Sequence, residues 1–226
     1  MSVIQLASLP PDRLTRDLME RTLYSRDLAP VPPIMTRTFF RTLPDAVVRP
    51  GSAEQVADVL RYAAREHIPI TPRAAASTAY YNTVPVRGGF VLDVNSLRGL
   101  LELDVARQSV QILPATTWFE LDDVLRLKGF AVKSYPSSAV AATVGGWVST
   151  QGHGMGSLKY GALGDQLISL QVVLPNGEIR TLTRDSDPPL DWFVRPKGRL
   201  ASSRRSNCRF GHVRPASHNI CWPSTI

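Results

Sequence analysis

Residues 1–194 contain no cysteine, and residues 195–226 contain no aspartate or glutamate. The first absence excludes a disulfide framework or a thiolate metal site in the body of the chain. The second explains the net charge of +7. Seven basic residues (Arg195, Lys197, Arg199, Arg204, Arg205, Arg209, Arg214) lie in that acid-free stretch, leaving 19 basic residues against 19 acidic ones before it. The body is neutral, which argues against a nucleic-acid partner. No apolar run approaches the roughly 18 residues of a membrane span. The start, MSVIQLASLPPDRLTRDLMERTL, has no basic segment followed by an apolar core, so no secretory signal is expected and the expected compartment is the cytoplasm.

Alternating helical and strand patterns predict a globular α+β or mixed α/β fold. Residues 1–42 form a helical lead-in, with Leu14, Leu18 and Leu23 at loose helical spacing before the proline-rich APVPPI. PDAVVRPGSAEQVADVLRYAAREHIPITPR then reads strand, helix, strand. Ser52 is the expected N-cap, and Val56, Val59, Leu60, Ala63 and Ala64 form the apolar face. GGFVLDV reads as a strand, LLELDVARQSVQILP as two strands around a turn, and TTWFELDDVLRLKGF as a helix capped by Thr117 and stopped by Gly129. LISLQVVLPNGEIRTLT is a hairpin through Asn176-Gly177.

Two stretches are too rich in small residues to be ordinary elements. One is TPRAAASTAYYN, residues 71–82; the other runs YPSSAVAATVGGWVSTQGHGMGSLKYG from Tyr135 to Gly161. Small side chains expose backbone amides, and successive amides in a turn can form an anion nest. Tight turns packing helix on sheet would need the same composition. GHGMGS is one residue short of the dinucleotide fingerprint and follows no strand, and no G-x-x-x-x-G-K-[ST] occurs. A nicotinamide site or P-loop is therefore disfavoured.

In order and spacing, PDAVVRP, IPITPRAAAST, RGGFVLD, YPSS, AATVGG, STQGHG, LKYG and the strand pair around Asn176-Gly177 resemble the FAD-binding domain of FAD-linked oxidases. The resemblance is to the vanillyl-alcohol oxidase or PCMH type, and especially to its glycolate oxidase subunit and D-lactate dehydrogenase branch. It runs from about Leu43 to Val194 and implies a PCMH-type domain over 43–194, made of two small α/β subdomains with FAD between them. Carried over by position, Arg73, Ala74, Ala75, Ala76, Ser77 and Thr78 form a first pyrophosphate loop. Pro136, Ser137, Ser138, Ala142, Thr143, Gly145, Gly146, Ser149, Gly154, Tyr160 and Gly161 form the second FAD-contacting set.

The chain departs from the family in having Ala74-Ala75-Ala76 and Ser137 where glycines are usual. Because alanine resists positive φ, the first loop is expected to take a conformation allowed to L-residues, or to bind more weakly. His153, between glycines, reads as a loop residue, and His67 as structural or solvent-facing.

The resemblance further implies oxidation of a small 2-hydroxy acid such as glycolate or D-lactate, with electrons passed to another subunit, a quinone or cytochrome, or oxygen. Membrane association would come only through such a partner. The family's substrate cap follows this domain, so no catalytic residue is expected among these residues. A related cell-wall UDP-sugar reductase would need NADPH and a further C-terminal domain. After DWFV the family continues roughly G-x-E-G-x-[LF]-G-I-[IV]-T-E, whereas this chain has RPKGRLASSRRSNC. Codons can be chosen for Pro196 to Cys208 that, read one frame over, give E-G-Q-A-G-I-V-T-E-V-E-L. The expectation is a frameshift near Val194 to Pro196, an inactive fragment, and a disordered basic tail over 195–226. The alternative is a non-catalytic FAD-binding or interaction module whose genuine tail binds zinc through Cys208, His212, His218 and Cys221.

Overall fold

The computed structural model describes residues 9–30, 32, 34, 38 and 40–194, and the backbone of 202–209 and 211–212. In chain order its elements begin with β1 (Leu14–Thr15), α1 (Leu18–Leu23), β2 (Ala46–Val48), α2 (Ala53–Arg65), β3 (Ile70–Arg73) and β4 (Phe90–Asp93). There follow β5 (Leu100–Asp104), β6 (Ser109–Ile112), α3 (Trp118–Arg126), β7 (Phe130–Ala131), α4 (Val144–Thr150), α5 (Ser157–Tyr160) and α6 (Leu163–Gln166). The last are β8 (Leu167–Val173), β9 (Ile179–Leu182), β10 (Ser202–Arg209) and β11 (Gly211–His212).

Two sheets organise the molecule. The first has the order β1-β2-β4-β3. Its β2, β4 and β3 run parallel in the register Val47↔Val91 and Thr71↔Val91, and β1 is antiparallel at the edge. Val47, Val48, Val91 and Leu92 are wholly buried, as expected of parallel strands covered on both faces. Helix α2 supplies Val56 and Val59 to this core, which also holds Phe90. The Ser52 hydroxyl accepts from Gln55 N at 3.2 Å, satisfying one donor of the helix start.

The second sheet is antiparallel, in the order β5-β6-β10-β8-β9. Its core contains Ile112, Leu125, Leu163, Leu170 and Leu182. Thr117 and Glu120 close a reciprocal capping box at the start of α3, and Gly129 follows the helix at φ +77°.

Two expectations are corrected here. Leu14 does not extend the first helix. It pairs with Val48 in β1, because Asp17 caps α1 by accepting from Glu20 N at 2.9 Å. Leu18 and Leu23 are exposed rather than a buried face. In the tail, Ser202–Arg209 is an ordered strand wherever the structure describes it, paired on both sides: Ser206 opposes Ile112 of β6 and Leu170 of β8. A ladder is made by main-chain donors and acceptors, so a gap between two strands can seat a segment with no hydrophobic pattern. His218 and Cys221, half of the zinc alternative, lie outside the described residues.

Candidate functional site

The carboxyl ends of parallel strands are where open α/β sheets present their loops to ligands. Here Arg73 and Asp93 end β3 and β4 side by side. The chain leaving β3 forms one wall of a cleft enclosing a cavity of about 280 Å³. Val94 and Pro114, each shortly beyond a strand, also line it, and residues between 138 and 150 form another wall. The volume is near the lower end for organic ligands, roughly 300 Å³.

The two walls are chemically different. On the first, the amides of Ala75, Ala76, Ser77 and Thr78 have no hydrogen-bond acceptor among the described residues. They are donors without a task, lying along a cavity whose lining includes each of these residues. On the second, the comparable amides are already used. Val144 N donates to Thr116 O, Gly145 N to Pro114 O, and Gly146 N to the Thr143 hydroxyl. Among the described residues the first loop thus has a run of four unbonded amides along the cavity, and the start of α4 does not. The second wall offers side-chain hydroxyls at Ser138, Thr143 and Ser149, with the bare faces of Ala142, Gly145 and Gly146.

The other expected residues fall outside the lining. Pro136 O accepts from Ala139 N in a turn, next to Ser137; Gly154 N donates to the Ser157 hydroxyl. Tyr160 carries the Lys159 ammonium 5.1 Å from its ring centroid, and Gly161 caps α5. Three glycines of the second stretch let the chain pack closely on itself. A Cβ on Gly145 would lie 2.6 Å from Pro114 Cβ, one on Gly152 2.2 Å from the Trp147 ring, and one on Gly154 2.3 Å from Tyr135 O. They let the wall fold against itself, which is the packing reading of that composition. His153 is exposed, with Nδ1 3.0 Å from Gln151 O.

Ala76 sits at φ +51° and Tyr81 at +59°, within the small left-handed region that L-residues can occupy at a cost.

Arg73 is the charged residue of the lining, and its guanidinium is engaged by residues 24–26. It donates to Tyr24 O at 3.3 Å and Arg26 O at 2.8 Å, and lies 4.9 Å from the Tyr24 ring centroid. The Tyr24 hydroxyl donates to buried Asp93, and Arg49 approaches the same carboxylate oxygen at 3.6 Å. Burial, and then the Asp93 carboxylate, raise the Tyr24 phenol above its ordinary value. Farther along, Leu28 N donates to Thr78 O and the Thr83 hydroxyl to Asp27. Residues 24–28 therefore strap both ends of the loop. No sequence signal joins Tyr24 to Asp93 across 69 positions.

Sequence reasoning also missed Tyr80, Asn82, Thr83, Trp147 and Thr150 in the lining. Among them, Asn82 Oδ1 is buried with no hydrogen-bond partner among the described residues. Tyr80 and Asn82 could have been noticed as polar or aromatic residues directly following the small-residue run.

Comparison with known proteins agrees with this geometry. A family described as FAD binding domain matches residues 44–183. The glycolate oxidase subunit GlcD of Bacillus subtilis (strain 168) is 30% identical over 159 residues, covering 70% of this chain and 32% of that protein. The mitochondrial D-lactate dehydrogenase [cytochrome] of Arabidopsis thaliana is 30% identical over 179 residues, covering 78% of this chain and 30% of its own length. The chain spans about a third of the length of these relatives. A solved alkyldihydroxyacetonephosphate synthase shares the fold, with a TM-score of 0.82 at 24% identity over 93% of this chain and 40% of that one. No helix among the described residues is long and apolar enough to cross a membrane. A match across most of the two-sheet body, a shared fold and a cavity with unassigned amide donors lead to one conclusion: the chain belongs to the family of PCMH-type FAD binding domains, with FAD as its cofactor.

Proposed function

We propose that this chain is the FAD-holding part of an oxidoreductase that acts on a small 2-hydroxy acid, glycolate or D-lactate being the leading examples. The observation that carries the reading is the run of unbonded amides on Ala75–Thr78 along a cavity that is also lined by the hydroxyl-bearing Ser138, Thr143 and Ser149. Those amides suit a diphosphate, since an anion among fixed backbone donors needs no paired cation. Arg73 to Thr78 would hold it on one side, with Ser138, Ala142, Thr143, Gly145, Gly146 and Ser149 on the other. Pro136, Ser137, Gly154, Tyr160 and Gly161 lie near enough in sequence to meet parts of FAD that extend beyond the cavity.

When bound, FAD would supply a hydride acceptor, so that a 2-hydroxy acid giving up its α-hydride and its hydroxyl proton would become a 2-oxo acid. The described residues bind and orient; none is assigned to the proton. The names of the relatives support the substrate class, and an electron-accepting partner would regenerate the oxidised flavin.

We also attribute residues 195–226 to a shifted reading frame. The slot between β6 and β8 is occupied by a segment reading SSRRSNCR. The shifted reading over the same codons, I-V-T-E-V-E-L, alternates I, T, V and L with V, E and E, the period of a strand with one apolar face.

The coding DNA and a flavin-bleaching assay test both statements. The expected DNA continues E-G-Q-A-G-I-V-T-E in a second frame. The chain as given is expected to hold FAD without bleaching under anaerobic glycolate or D-lactate, while the frame-restored protein bleaches with one of them. An empty second frame would overturn the frameshift. A restored protein that binds FAD but is reduced by no 2-hydroxy acid would overturn the substrate class.

A further inference from the structure

We infer that Asp27 is a positioning residue for the cofactor: it docks the strap of residues 24–28 on the loop after β3 and so holds the amides of Ala75–Thr78 in an anion-binding arrangement. The inference rests on FAD occupying this cavity. The loop needs such support. Ala76 stands at φ +51°, and a residue other than glycine keeps a left-handed backbone only where its surroundings over-determine it. The four amides have no acceptor among the described residues, so no bond of their own fixes their directions. The loop must be held through its other groups.

Those groups are tied at both ends. Before the run, Ala74 O accepts from Asn95 Nδ2 at 3.3 Å, and Arg73 donates to Tyr24 O and Arg26 O. At its end, Thr78 O accepts from Leu28 N at 3.1 Å. Asp27 stands in the chain between these strap contacts, and its carboxylate fixes the strap on both sides. One oxygen accepts from Ala29 N at 2.9 Å, closing a turn in the strap, and the other accepts from the Thr83 hydroxyl at 3.3 Å. Thr83 lines the cavity and Asp27 does not. A carboxylate one side chain removed from a diphosphate repels it. Charge alone would therefore make Asp27 a hindrance to binding, and only its contacts can help. The two effects have opposite signs.

Fluorescence titrations of the whole chain with FAD, with competition by inorganic pyrophosphate, separate them. Asp27→Ala removes both contacts together with the charge, and its affinities for FAD and pyrophosphate are expected to fall in parallel, by about tenfold. Asp27→Asn removes the charge but can keep both contacts, Oδ1 accepting from Ala29 N and Nδ2 donating to the Thr83 hydroxyl. Its affinities are expected to stay within about twofold of the parent or to rise. Unchanged or tighter binding in Asp27→Ala overturns the positioning role, as does an equal loss in Asp27→Asn. Should Asp27→Ala fail to fold, hydrogen exchange of the parent decides. A strap that strengthens FAD binding must itself be held more tightly by FAD. Slower exchange at Leu28 is then expected, and an unchanged rate in FAD-saturated protein overturns the role. A folded parent chain that binds no FAD overturns the cofactor site, and the inference with it.

Discussion

Ala76 holds its backbone at φ +51° on the loop that carries the free amides. For an L-residue this region costs about 1–2 kcal/mol through the clash of Cβ with the following carbonyl. Glycine avoids that cost but adds about 0.4–1 kcal/mol of unfolded-chain entropy. The strain is the larger quantity, so Ala76→Gly is expected to stabilise the protein by about 0.5 kcal/mol, read as a higher urea midpoint. Ala75 is not at positive φ. The same change there has only the entropic term and is expected to destabilise by about 0.4–1 kcal/mol. Equal effects at the two positions would contradict the loop conformation. Sequence alone placed the alanines on this loop but not the one bearing the strain, because φ is set by the strap and by both ends of the loop.

Among the elements, the strap over residues 24–28 has the most testable chemistry. Tyr24 donates to Asp93, and its phenol lies above the ordinary tyrosine range, first through burial and then through that carboxylate. A raised folded-state value means the neutral phenol is favoured by folding. Its stabilisation is fully present below the unfolded value of about 10 and is lost as pH rises through the folded value. Tyr24→Phe is therefore expected to lower stability by about 1.5–3 kcal/mol at neutral pH, the range for a hydrogen bond to a charged group. It should also lose less stability than the parent between neutral and strongly alkaline pH, as followed by urea unfolding. Parallel pH profiles would contradict the role of the Tyr24–Asp93 bond.

This strap was invisible in the sequence, whereas the other elements were largely legible, for physical reasons. Ser52 and Thr117 announce helix starts by local hydrogen bonding, and Asn176-Gly177 announces a hairpin with Gly177 at φ +78°. Such signals act within a few residues. Leu14 was misread because its strand partner, Val48, is remote. The strand at Ser202–Arg209 was missed because its pairing uses backbone and both partners lie far back in the chain.

At the scale of the whole molecule, Val173 of the antiparallel sheet packs into the core of the parallel one, and Val94 and Pro114, each just past a strand of one sheet, line the same cavity. The loop after β3 lines one side with a run of four successive unbonded amides; on the other side the amides at the start of α4 are bonded, while those of Ser138 and Thr143 have no acceptor among the described residues. The small-residue composition of the second wall serves mainly its own packing, through approaches such as Gly145 to Pro114. Family resemblance located both walls by position, but the division of labour between them follows from which amides were already bonded.

Hydrogen exchange of the whole chain with and without FAD tests that division most directly. If the cavity holds the cofactor as described, added FAD slows exchange at Ala75–Thr78. Val144, Gly145 and Gly146, already bonded, are slow beforehand and change little. Exchange at Ala75–Thr78 that stays fast in a chain saturated with FAD would contradict the assignment of the nest.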